Sequence, residues 1–192
     1  MRALAIVGAL ALAVSASAGD RVVREMTPER IREAIALGEK GKVSPYTDWD
    51  VWIGRGGVDA SYTTPFLRVA LLAKEAHMKY SHLDPAQIPA EALEPVVEVY
   101  APAEVNSDGA PRSVSVTAIV LMPPKAKSRD QAIMPLFSES RDETYGNAFG
   151  ATTSAKGMVA RFRIADWREG AEIRIVRGDF EQKARLDMEK VK

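Results

Sequence analysis

The chain has 192 residues, of which 26 are basic and 26 acidic, and 46% of it is hydrophobic. That balance gives no long-range pull toward nucleic acid or an anionic membrane, while the apolar share is enough for a real core. The absence of cysteine excludes disulfides, thiolate metal sites and cysteine nucleophiles together.

Met1-Arg2, the apolar run Ala3–Val14 and Ser15-Ala16-Ser17-Ala18 have the three parts of a cleavable secretory signal peptide, with cleavage expected after Ala18. The run is too short to span a bilayer. No cysteine offers a lipid attachment point, and no Arg-Arg pair marks a twin-arginine route. The mature chain is therefore expected in the periplasm, at the cell surface or outside the cell.

Residues 26–40 read as a helix. Thr27 caps it, Pro28 suits its first position, Met26 and Ile31 have the spacing of a hydrophobic staple, and Gly38 and Gly41 mark its end. A hairpin is expected over 51–62, with Val51-Trp52-Ile53 facing Val58–Tyr62 across Gly54-Arg55-Gly56-Gly57. Thr64-Pro65 opens a second helix, 65–81, so apolar around its circumference that it must be buried on most sides. Pro85, Pro89 and Pro95 punctuate short capped turns.

From Pro95 onward the period is two. Alternating apolar residues mark strands near 97–99, 114–120, 158–164, 173–175 and 184–188, with a shorter edge strand at 133–137 interrupted by Pro135. The last three strands read as a meander, joined through Glu169-Gly170 and Gly178-Asp179. Residues 138–156, polar and glycine-bearing, read as a long loop of the kind that often carries binding. The expected fold is α+β. After the leader 1–18, a mainly helical region, 19–94, packs on an antiparallel β-sandwich-like sheet, 95–192.

Catalytic chemistry is sparse. His77 and His82 are five apart and do not share a helix face, so they do not form a helical zinc pair. His82 can instead meet Asp84 near the helix end. No G-x-S-x-G or S-x-x-K motif is present, and Asp142, Glu143 and Asn147 lack the spacing of a calcium loop. Two groups can bind a ligand. Tyr46, Trp49 and Trp52, beside Asp48 and Asp50, resemble the stacking surface and polar rim of sugar and cation sites, and Asp142, Glu143 and Asn147 share the 138–156 segment. A third group, Arg161, Arg163 and Arg174 with Arg177 nearby, would present guanidiniums to an acidic partner or a phosphate-bearing polymer if the first two strands paired. Glu172, Asp187 and Glu189 could neutralise that row.

By elimination, the reading is an exported, non-catalytic binding module of the cell envelope. Its expected partner is another envelope protein or polymer, with no cofactor, no metal and no nucleic acid. Two alternatives stand beside it: a hydrolase of an envelope polymer, which needs two carboxylates in one concave pocket, and a small-ligand carrier, which needs a convergent polar cavity. An exposed apolar patch or an uncovered edge strand would favour the first.

Overall fold

The computed structural model describes residues 25–41, 43, 51–52, 59–106, 112–146 and 152–185. The leader, Tyr46, Asp48, Trp49, Asp50, the 54–57 glycine turn, Asn147, Asp187 and Glu189 lie outside the described residues.

Helix α1 spans Pro28–Glu39, and the Thr27 hydroxyl accepts from the Arg30 amide at its start. Helix α2 spans Pro65–Met78 and is capped in the same way by Thr64, which accepts from the Leu67 amide. It ends three residues before the expected 81, because Tyr80 enters the left-handed region (φ 57°) and the Ser81 amide turns back to the Ala76 carbonyl. The two helices cross closely at Gly38, where an added Cβ would stand 2.8 Å from Cβ of Ala73 and collide with the Ala70 carbonyl. Gly38 is thus a packing residue inside α1 rather than its terminator. After α2, Asp84 caps a short 3-10 turn, Pro85–Gln87, and one turn of helix, α3 (Ala90–Leu93), leads into the sheets.

Strands β1 (Val51–Trp52) and β2 (Asp59–Thr63) form the expected hairpin. β2 then pairs with β3 (Val96–Ala101), β3 with β8 (Thr152–Arg163), and β8 with β7 (Phe137–Gly146), giving a five-stranded antiparallel sheet in the order β1-β2-β3-β8-β7. A second antiparallel sheet has the order β10-β9-β6, from β6 (Val116–Met122), β9 (Glu172–Arg177) and β10 (Phe180–Arg185). β4 (Glu104–Asn106) and β5 (Arg112–Val114) make a small ribbon. The α+β class with antiparallel sheets is therefore the fold of this chain. β2 of the helical front enters the sheet of the β-rich back, so hydrogen bonding joins the two regions across Pro95.

Three local expectations are corrected. The segment read as a loop, 138–156, is largely a long two-stranded ladder running from Phe137↔Arg161 to Gly146↔Thr152. The last three strands are not one meander: β9 and β10 form a hairpin, but β9's other neighbour is β6, while β8 lies in the other sheet. Ile133 is a single bridge to Leu121, and the strand after Pro135 begins at Phe137.

One core serves helices and sheets alike. Ala34, Leu67 and Val69 share it with Val97, Val99, Ala160 and Phe162 of the larger sheet and with Ile119, Leu121, Ile173 and Ile175 of the smaller. At its centre Trp167, 1% exposed, packs against Tyr62 (ring centroids 5.5 Å apart) and edge-on to Phe162 (6.5 Å). A cluster of this kind supplies the main favourable free energy of a domain this size. Among the described residues the Trp167 indole N–H has no acceptor.

Candidate functional site

The register of the larger sheet lines Thr63, Glu98, Arg161 and Phe137 into one row that crosses four strands on a single face. Above this row, α2 and α3 leave an open groove of about 350 Å³, lined by Leu71, Leu72, Pro89 and Ala92, with Arg68, Glu75, Glu91, Glu98 and Arg161 among its polar residues. Arg68 holds the helical wall in place. Its Nε donates to the Ala92 carbonyl (3.2 Å), Nη1 to that of Val96 (3.1 Å) and Nη2 to that of Glu94 (2.7 Å). Burial pushes the Arg68 guanidinium below its usual pKa, and the nearby Glu98 charge opposes that shift. On the sheet side, Arg161 Nε donates to Glu98 (2.9 Å), and its guanidinium carbon lies 5.8 Å from the centre of the Phe137 ring. Phe137 is 49% exposed, and its chain neighbours Met134 and Leu136 are 66% and 57% exposed. The groove thus gives way along the row to an exposed apolar run at the start of β7.

Six residues further along β7, on the same face, is a locked carboxylate. Glu143 on β7 accepts from the hydroxyls of Tyr100 and Tyr145 and from the Ala103 amide (3.0 Å). Its carboxylate lies across Gly157 of β8, where an added Cβ would collide with Glu143 Oε1 and stand 3.0 Å from the Ala101 carbonyl oxygen. A side chain at 157 would therefore displace the carboxylate. Desolvation first, then the bonded carboxylate, pushes the Tyr145 hydroxyl up to about 12, and the charge of nearby Arg177 works in the opposite direction. Arg141 lies over the Tyr100 ring, 6.0 Å from its centre. With both oxygens held by donors, Glu143 ties β7 to β3 and to the chain after it.

The residues singled out from sequence are dispersed. Asp142 and Glu143 are neighbours on β7 but face opposite sides of the sheet. Glu143 is locked as described, whereas Asp142 is exposed and lies 3.7 Å from Lys156. Of the aromatic group only the backbone of Trp52, in β1, is described. The arginine row is divided because its premise, pairing of the two strands, is not met. Arg161 and Arg163 are on β8 and Arg174 is on β9 of the other sheet. Each has an acidic neighbour. Arg161 has Glu98, Arg163 has Asp166 (3.5 Å), and Arg174 has Glu172 (2.8 Å) and Glu181 (3.2 Å). Arg177 is not on an outer face at all. It is 1% exposed and donates to the Pro102 carbonyl (2.7 Å) and to Gln182. His82 meets Glu39 at the end of α1, while Asp84 caps the Ala86 amide.

The sequence reading missed the groove and the Tyr100–Glu143–Tyr145 cluster. One signal was available: Arg177 has the same parity as Ile173 and Ile175, the buried set of β9. Among the described residues, no three His, Asp or Glu side chains gather as a metal site requires, and no helix is long and apolar enough to cross a membrane. Comparison of the chain with protein-family models, with curated proteins and with solved structures returned no match.

Proposed function

We propose that this chain is an exported, non-catalytic interaction module of the cell envelope, and that it holds an extended segment of another envelope protein in the groove between α2, α3 and the β2–β3–β8 face. The observation that carries this reading is Phe137, which is half-exposed and continues the groove's row, with Met134 and Leu136 exposed just before it in the chain. Large apolar side chains exposed together beside a concave apolar surface are a common mark of a docking site. Leu71, Leu72 and Pro89 would receive side chains of the guest, and the carboxylates of Glu75 and Glu91 would lie at its polar edge.

The hydrolase alternative has one observation in its favour, since Glu75, Glu91 and Glu98 line a single concave surface. Their commitments weigh against it. Glu98 is bonded to Arg161, and Lys79 holds the Glu75 carboxyl below its usual pKa, the wrong direction for a proton donor.

The test is site-specific photo-crosslinking in the intact envelope, with the photoreactive side chain at 137 and, as a control, at the turn residue 169, which does not line the groove. The expected result is a discrete adduct from 137 only, on protein whose mass begins at Gly19. Rebinding of the purified partner should weaken by about tenfold or more in Phe137→Asp. An uncleaved cytoplasmic protein, or equal labelling from both positions, would overturn the reading. Release of soluble fragments from an envelope polymer by the purified protein would establish the hydrolase in its place.

A further inference from the structure

β7 is the last strand of its sheet, and among the described residues it pairs on one side only, with β8. A long strand with a free edge is a template for another strand. Its sequence, Phe137-Ser-Glu-Ser-Arg-Asp-Glu143, carries opposite charges placed symmetrically about Ser140, with Glu139 on one side and Arg141 on the other. Both are exposed, and among the described residues neither is in an ion pair. This contrasts with Arg161, Arg163 and Arg174, each of which has a carboxylate beside it.

We infer that β7 is a self-recognition edge, which pairs antiparallel with β7 of a second copy about a twofold axis through Ser140. Two antiparallel neighbours related by a twofold axis perpendicular to the sheet keep the same face up, so opposed residues share parity. With Ser140 on the axis, Glu139 of each copy faces Arg141 of the other, and Ser138 of each faces Asp142 of the other. The first gives two opposite-charge cross-strand pairs, and the second sets a hydroxyl donor against a carboxylate. Moving the axis one residue either way sets Glu139 against Glu139 or Arg141 against Arg141, and moving it to 142 sets Asp142 against Asp142. The charges therefore select one register and one occupant. A second copy complements this edge, whereas an arbitrary strand has no reason to carry the mirrored pair.

Pairing in this way would join the two larger sheets into one. Because the faces are preserved, the row Thr63–Glu98–Arg161–Phe137 and its groove would lie on the same side of the joined sheet in both copies. The assembly would then be bivalent if the groove binds a partner, but the inference stands on the edge alone.

The test is sedimentation equilibrium of the full chain after export, across a wide concentration range, for the parent, Glu139→Arg, Arg141→Glu and the double exchange E139R/R141E. Each single reversal sets like charges opposite each other twice and is expected to weaken dimerisation by about tenfold or more, while the double exchange restores it to within about threefold of the parent. The cysteine-free chain allows a second readout. Opposed residues in an antiparallel pair have Cα atoms about 4.5–5.5 Å apart, within disulfide reach. Ser140→Cys is expected to oxidise to a covalent dimer, whereas Ser138→Cys and Thr144→Cys, which face Asp142 and Leu136 of the second copy, stay monomeric. A parent that stays monomeric throughout, a double exchange no better than the single reversals, or equal cross-linking from all three cysteines would overturn the inference.

Discussion

β7 and the β9–β10 hairpin are both charged strands, and they handle their charges in opposite ways. On β9–β10, Glu181 is 13% exposed on its side chain and is ion-paired with Arg174, Arg129 and Lys183, while Arg174 also reaches Glu172. The charges close on one another across and along the strands, which leaves little for a partner to meet. On β7, Glu139 and Arg141 are exposed and in no ion pair among the described residues, Asp142 has only an exposed 3.7 Å contact with Lys156, and the locked carboxylate, Glu143, is turned onto the tyrosines. The contrast teaches that the number of charges on a strand says little about binding. What matters is whether their partners are already supplied within the fold.

The comparison is broken most severely at Glu143. Glu143→Ala would leave the hydroxyls of Tyr100 and Tyr145 and the Ala103 amide without their common acceptor, and it is expected to cost about 2–3 kcal/mol in urea unfolding. If β7 were held by its ladder to β8 alone, the loss would be far smaller. Next in size is Glu181→Gln, which weakens three cationic contacts at one shielded oxygen pair. The expected loss is about 1–2 kcal/mol, and it should shrink only modestly in high salt because the site is sheltered.

Alkaline titration sharpens the role of the cluster. Tyr145 titrates from an ordinary value of 10.0 up to about 12 in the fold, so the folded protein holds this proton more tightly than the unfolded chain. The stability it contributes is intact below pH 10 and is lost as pH rises through about 12. Chemical unfolding at stepped pH should show that decline in the parent, and a shallower one in Tyr145→Phe. The smallest effect belongs to the open strand. At low protein concentration, where copies do not meet, Glu139→Gln should change stability by no more than about 0.5 kcal/mol. Thermal melts of Glu139→Gln and Glu181→Gln side by side give the contrast directly.

Much of the fold was legible because its signals are local. Thr27-Pro28 and Thr64-Pro65 announce both long helices by cap chemistry that needs no distant partner. Period-two alternation marks β3, β6, β8 and β9 because each of these strands buries residues within the fold. β7 was illegible for the same reason. Most of its residues are exposed on both faces, so no alternation records it, and it is a strand only because β8 supplies its hydrogen bonds. The candidate site was less legible still. Glu143, which also accepts from Tyr145, meets Tyr100 from 43 residues away, and the groove draws on α2, α3, β2, β3 and β8. Trp167, passed over in the sequence while Trp49 and Trp52 drew notice, proves to be the tryptophan at the centre of the core.

The sequence by itself determined the α+β class, the positions of α1, α2 and the β1–β2 hairpin, and the lack of any thiol chemistry. These follow from capping, periodicity and composition, which act within a few residues. Only the tertiary structure decided that β8 joins β3 and β7 while β9 joins β6, that Arg177 is buried, and that Glu143 is locked while Glu139 and Arg141 are in no ion pair among the described residues. Alternation tells which face of a strand is buried but not which strand lies beside it, and a side chain's charge acquires its role only from that neighbour.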